Sequence, residues 1–146
     1  MIVFVIARLT QSMSKNPETI VTNRIKDLLK RNGAHFVKLS DSFTRGIPDA
    51  MIVTNRVIMM EFKVDSTKGT MSERTYKSLK LSGAQDHHIK AIRKRAGSSA
   101  YVVTDTVGGG RLKVWIPADP FNEASEEYVC VCEGEDNFLR LMGCYV

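Results

Sequence analysis

Apolar residues recur along this chain in two rhythms, and each change of rhythm predicts a change of secondary structure. From Pro17 the spacing is helical, with Val21, Ile25, Leu28 and Leu29 on one stripe and polar residues elsewhere. Asn16 suits the N-cap, Pro17 the first helical position and Glu18 the positive helix end, while Gly33 suits the stop. A helix is therefore predicted over 17–31. Glu18 lies three residues before Val21, so it projects from the same face, just beyond the apolar stripe. A second helical stretch is predicted over 83–96. Ser82 and Gln85 have capping-box spacing, Ile89, Ile92 and Ala96 form the expected inner face, and Gly97 ends it.

Shorter apolar runs predict strands at 35–39, 50–53, 57–62, 100–104 and 112–116, with a further candidate at 128–132 and a short helix around Phe138. Thr54-Asn55-Arg56 reads as a hairpin loop, because Asn tolerates the positive φ of a tight turn. Ser40–Gly46 reads as a polar loop and Gly108-Gly109-Gly110 as a turn; no Lys-Ser/Thr follows the glycines as a phosphate loop requires. Residues 64–81 read as a long polar stretch, either a loop touching a partner or a disordered insertion. The order helix, strand, hairpin, helix, strand predicts an α/β fold, a small mixed sheet flanked by helices. The expectation is one domain over 1–146, with a core at about 17–117 and an acidic extension over 118–146.

The hairpin brings chemistry into the pattern. A loop centred on Asn55 pairs residues whose numbers sum to 110. Val53 then faces Val57, Met51 faces Met59, and Asp49 faces Glu61. Directly opposed side chains have Cβ atoms about 4.5–5.5 Å apart. Lys63 shares the face of Glu61, and Phe62 takes the other. Two acids held side by side repel unless a cation lies between them, and Mg²⁺ suits a few carboxylate oxygens completed by water and phosphate. A β-bulge would turn Asp49 away and undo this pairing.

Charge sharpens the partner class. The net charge of +5 is uneven: residues 1–118 hold 20 Lys and Arg against 9 acids, and residues 119–146 hold Arg140 against 7 acids. A basic body suits a polyanion. Lys90, Arg93, Lys94 and Arg95 read as a solvated helix face or as phosphate contacts. His87 and His88 are adjacent on a helix and point different ways, which argues against a two-His metal site. Cys130, Cys132 and Cys144 have no second pair or nearby His to complete a zinc site, and reduced thiols of a cytosolic protein are expected. The apolar opening at 1–7 is shorter than the roughly 20 residues of a membrane span. Met13, just before the first helix, is a candidate start beside Met1, and the sequence leaves both open. No membrane association is expected, and the localisation is expected to be cytoplasmic, in a host cell if the chain is phage-borne.

Taken together, Gly46-Ile-Pro-Asp49, the spacer, Glu61-Phe-Lys63 and Leu81-Ser-Gly-Ala-Gln85 resemble the VRR-NUC branch of the PD-(D/E)XK nucleases, over about residues 17–105. The resemblance implies a restriction-endonuclease-like core of helix, three-stranded meander, helix and strand. It implies Asp49 and Glu61 as metal ligands, Lys63 as catalytic lysine, Glu18 as an additional acidic ligand, Gln85 as active-site glutamine and the Phe62 carbonyl as a further ligand. Plain helix capping by Gln85 is compatible with that role. The implied activity is Mg²⁺- or Mn²⁺-dependent hydrolysis of DNA, structure-selective toward Holliday junctions or flaps, by an enzyme often dimeric and often phage-borne. Two alternatives remain: a non-catalytic nucleic-acid-binding protein on the same fold, and a sequence-specific restriction endonuclease.

Overall fold

The computed structural model describes residues 16–39, 44–66 and 73–145. The apolar opening, the candidate start at Met13, residues 40–43 of the polar loop and residues 67–72 lie outside them.

Helix α1 (Pro17–Arg31) begins where Asn16 accepts the Glu18 N–H at 2.8 Å. It buries Val21, Ile25, Leu28 and Leu29, the four residues of the helical stripe. Each buried aliphatic contributes about 1.5–3 kcal/mol, so the stripe fixes which face of the helix meets the sheet. Strands β1 (His35–Lys38), β2 (Ala50–Val53) and β3 (Val57–Val64) follow as an antiparallel meander. β3 runs two residues past the apolar run because Lys63 and Val64 continue its ladder with the next strand.

Part of the long polar stretch is structured. Strand β4 (Glu73–Thr75) and the turn after it bring Leu79 and Leu81 into the core. Arg74 forms a buried ion pair with Asp65 at 3.3 Å and lies over the Trp115 ring. Three strand residues flanked by charge carry too little periodicity to be seen in sequence. Helix α2 (Gly83–Ala96) then crosses over to β5 (Ala100–Asp105), which pairs parallel with β3. Strands β6 (Lys113–Pro117) and β7 (Glu127–Glu133) and helix α3 (Glu135–Leu141) complete the order. The register of β6 with β7 skips Val131, a one-residue bulge.

The result is a mixed α/β architecture: a seven-stranded sheet in the order β1-β2-β3-β5-β6-β7-β4, with three helices among the described residues. One core packs α1 and α3 against one face, with Met60, Phe62, Val103, Phe138 and Met142 in it. The other packs α2 through Ile89 against Val102, Trp115 and Tyr128. Residues 127–145 thus supply a strand, a helix and core side chains to the same sheet. The hairpin loop is tied to them, since Thr54 donates to the Met142 carbonyl at 2.6 Å and Arg56 to that of Leu141 at 2.8 Å.

The inner face of α2 differs from expectation. Ala96 is exposed and Ile92 only half-buried, while Asp86 and Lys90 point inward beside Ile89. Lys90 is fully buried, its ammonium 3.0 Å from Asp86 and donating to the Ser125 carbonyl at 2.6 Å. The Tyr128 hydroxyl donates to Asp86 at 2.7 Å, and burial with that carboxylate raises its pKa, keeping it a donor. Arg93 donates to the Ala100 carbonyl and lies over the Tyr101 ring. Lys90 therefore belongs to the core rather than to a solvated face; Lys94 and Arg95 are the exposed members of the cluster.

Candidate metal centre

The hairpin register is the one in which partner numbers sum to 110: Ala50 faces Met60, Met51 faces Met59, and Val53 faces Val57. No bulge interrupts it. One step beyond the last ladder pair, Asp49 comes opposite Glu61. Asp49 is held twice, its carbonyl accepting the Leu39 N–H at 2.8 Å and its Oδ2 accepting the Phe62 N–H at 2.9 Å. The second bond also orients Phe62. In β3 the Met59 and Asp65 amides point toward β5, so the alternating Phe62 amide and carbonyl both point toward the β2 side, where that strand has ended. The Phe62 carbonyl therefore faces the same open end as Asp49.

Glu18, at the start of α1, completes the group. Glu18, Asp49 and Glu61 each offer a carboxylate oxygen, and these lie within 4.8 Å of one another. Oxygens bound to one Mg²⁺ at about 2.0–2.1 Å are separated by roughly 3–4 Å, so small side-chain movements would bring all three onto one cation. Among the described residues no other trio of His, Cys, Asp or Glu converges this way. The three cysteines are free thiols. The rings of His87 and His88 meet edge-on, with centroids 5.7 Å apart, and His87 sits 3.5 Å from Glu123.

Glu61 carries the strain of this arrangement. It is 1% exposed, and neither carboxylate oxygen receives a hydrogen bond. Burial, then the adjacent Asp49 carboxylate and more weakly Glu18, push its pKa up to about 10, with Lys63 opposing them. A buried carboxylate without donors is costly, and a cation or a proton relieves it. The donor set is all oxygen, as a hard divalent ion prefers. Glu18 and Asp49, but not Glu61, also line a cleft of about 310 Å³ on the α1 side of the sheet. Glu61 is the floor of the centre; the other two acids are its mouth.

Gln85 takes part in the cap of α2. Its Oε1 accepts the Ser82 N–H at 2.9 Å, and the Ser82 hydroxyl accepts the Gln85 N–H at 3.1 Å, a complete capping box. The structural role is thus filled. What the sequence left unseen is how Gly46 joins the two motifs. It has φ +80°, and a Cβ there would lie 2.4 Å from the Ala84 carbonyl carbon and 2.6 Å from the Gln85 nitrogen. The segment leading to Asp49 is pressed against the first turn of α2, where only glycine fits.

A scan against protein-family models finds no match, and no curated protein matches the chain.

Proposed function

We propose that this chain is a metal-dependent DNA endonuclease with a PD-(D/E)XK core of the VRR-NUC type. One observation carries the proposal: the buried Glu61, with no donor on either oxygen, stands opposite Asp49, beside Glu18 and two residues from Lys63 on the same strand. The order α1, three-stranded meander, α2 and parallel β5 is compatible with that core.

Glu18, Asp49 and Glu61 would hold one Mg²⁺ or Mn²⁺, with the Phe62 carbonyl as a further oxygen. A divalent cation bound there supplies acidification of water and neutralisation of charge on a phosphate. The residues do the remainder. The Phe62 amide fixes the Asp49 carboxylate, so the ligand geometry is set before substrate arrives. Lys63 shares the face of Glu61 and acts on it electrostatically, a position from which it steadies the attacking water and the anionic transition state. In the hydrolysis, water oxygen bonds to phosphorus, one P–O ester bond breaks, and the leaving alkoxide takes up a proton while the water loses one. Gln85 remains a candidate for orienting substrate through the amide nitrogen that its cap leaves over.

The described residues form one sheet with its helices. We favour cleavage selective for DNA structure, such as flaps or four-way junctions. The test incubates the protein with linear, flapped, splayed and four-way DNA in Mg²⁺, Mn²⁺ or EDTA, beside Asp49→Asn and Lys63→Ala. Metal-dependent cleavage lost in both variants is expected. Cleavage that persists in EDTA or in both variants would overturn the site, and binding without cleavage would make the chain a non-catalytic nucleic-acid-binding protein.

A further inference from the structure

The cleft at the mouth of the metal centre is built unevenly. At one end are Glu18 and Asp49; its walls also carry Lys26, Lys38 and the ring of Phe36. Phe36 is half-buried and lies nearly parallel to the buried Phe62, with centroids 6.2 Å apart and 18° between planes. Phe62 is the residue whose amide holds Asp49. The aromatic wall is thus coupled to the acids through a single packed residue. The Lys26 ammonium lies 5.6 Å from the Phe36 ring centre. Among the described residues, neither Lys26 nor Lys38 pairs with a carboxylate.

We propose that this cleft is a subsite for one unpaired nucleotide of the strand being cut, next to the scissile phosphate. The inference rests on the nuclease proposal and adds a substrate class to it. Its volume, about 310 Å³, lies at the lower end of small-ligand pockets. Charge and shape agree with that occupant. Two cations without carboxylate partners answer the flanking phosphate; turning the Lys26 ammonium from the Phe36 ring to that phosphate would leave the anchored ring to a base, whose π-face any sequence provides. A fully paired strand keeps its base in the stack and cannot present it to Phe36. Sites beside an unpaired base, such as flaps, junction branch points and single strands, are therefore favoured over continuous duplex.

Equilibrium binding of the full chain to a fluorescent oligo-dT and to a blunt duplex of equal length, compared at each point of one salt series in EDTA, tests this without requiring cleavage. The wild type is expected to bind the single strand more tightly than the duplex. Phe36→Leu, which keeps an apolar side chain against Phe62, should lose roughly 5- to 150-fold of single-strand affinity, the range for one aromatic–base stack. Its duplex affinity and its Mg²⁺ affinity by calorimetry should stay at wild-type levels, and Phe36→Tyr should restore single-strand binding. Lys26→Ala and Lys38→Ala should each weaken single-strand binding and flatten its salt dependence. Equal wild-type affinity for the two oligonucleotides, or unchanged single-strand binding in Phe36→Leu and both lysine variants, overturns the subsite. Failure of the nuclease proposal is separate, read from cleavage and its dependence on Asp49 and Lys63.

Discussion

Replacing Glu61 by Gln tests the metal centre where it is most exposed to refutation. The substitution keeps shape and volume and removes a charge that is 1% exposed and receives no hydrogen bond. In the metal-free wild type the Glu61 pKa is pushed up to about 10 from the ordinary 4.5. The folded state therefore holds a proton that the unfolded state releases above about pH 4.5. Stability from this group is complete below that pH and is lost as the pH rises toward 10. The slope in this window is at most about 1.4 kcal/mol per pH unit, so up to roughly 2.7 kcal/mol disappears between about pH 6 and pH 8. Glu61→Gln has no such proton to lose. In EDTA it should match the wild type near pH 4 and exceed it above that, by a margin that widens between pH 6 and pH 8. Urea unfolding followed by the single, fully buried Trp115 reports this directly. Mg²⁺ at about a hundred times its dissociation constant should restore roughly 2.7 kcal/mol to the wild type and far less to the variant. Parallel stability–pH curves in EDTA, or equal stabilisation of both proteins by Mg²⁺, would refute the assignment of Glu61 as a strained metal ligand.

Four further outcomes follow from the same geometry. Mg²⁺ binding to the wild type near neutral pH should release close to one proton, seen as a dependence of calorimetric heat on the ionisation enthalpy of the buffer, and affinity should rise with pH as the Glu61 proton becomes easier to displace. Lys63→Ala should cut the cleavage rate by about 10²- to 10⁴-fold in single-turnover assays while changing Mg²⁺ affinity only slightly. Gly46→Ala should cost at least about 2 kcal/mol in urea unfolding, because it combines φ +80° with a Cβ 2.4 Å from backbone. Lys90→Met should cost about 3–5 kcal/mol by leaving Asp86 charged and buried, whereas exposed Arg95→Ala should stay within about 0.5 kcal/mol.

The helices and the hairpin were legible in the sequence because their signals are local. The Val21–Leu29 stripe, the Asn16 cap and the Ser82–Gln85 box each act within a few residues, and the structure has them where that spacing puts them. The Asp49–Glu61 register was legible for a related reason: the three-residue loop Thr54-Asn55-Arg56 fixes the hairpin, and pairing then propagates outward. What stayed hidden depends on distant partners. Lys90 looks like a surface lysine until Ser125 and Asp86 are seen around it, and β4 looks like a loop until β7 is beside it. The pressure of Gly46 on α2 leaves no trace but the glycine. Convergence of Glu18 with Asp49 and Glu61 needs the angle of α1 across the sheet, which sequence spacing suggests only as a face.

The ties from Thr54 and Arg56 to the carbonyls of Met142 and Leu141 join the hairpin to a distant part of the sequence. All three acids and the lysine lie within residues 18–63, yet the hairpin that aligns two of them is clamped at its far end by residues 141–142, and α1 shares its core with Phe138 and Met142. A nascent chain synthesised only as far as Lys63 would carry every proposed metal ligand but lack the residues that clamp the hairpin and share the core of α1. The scaffold of the candidate centre thus spans far more of the chain than its acids do.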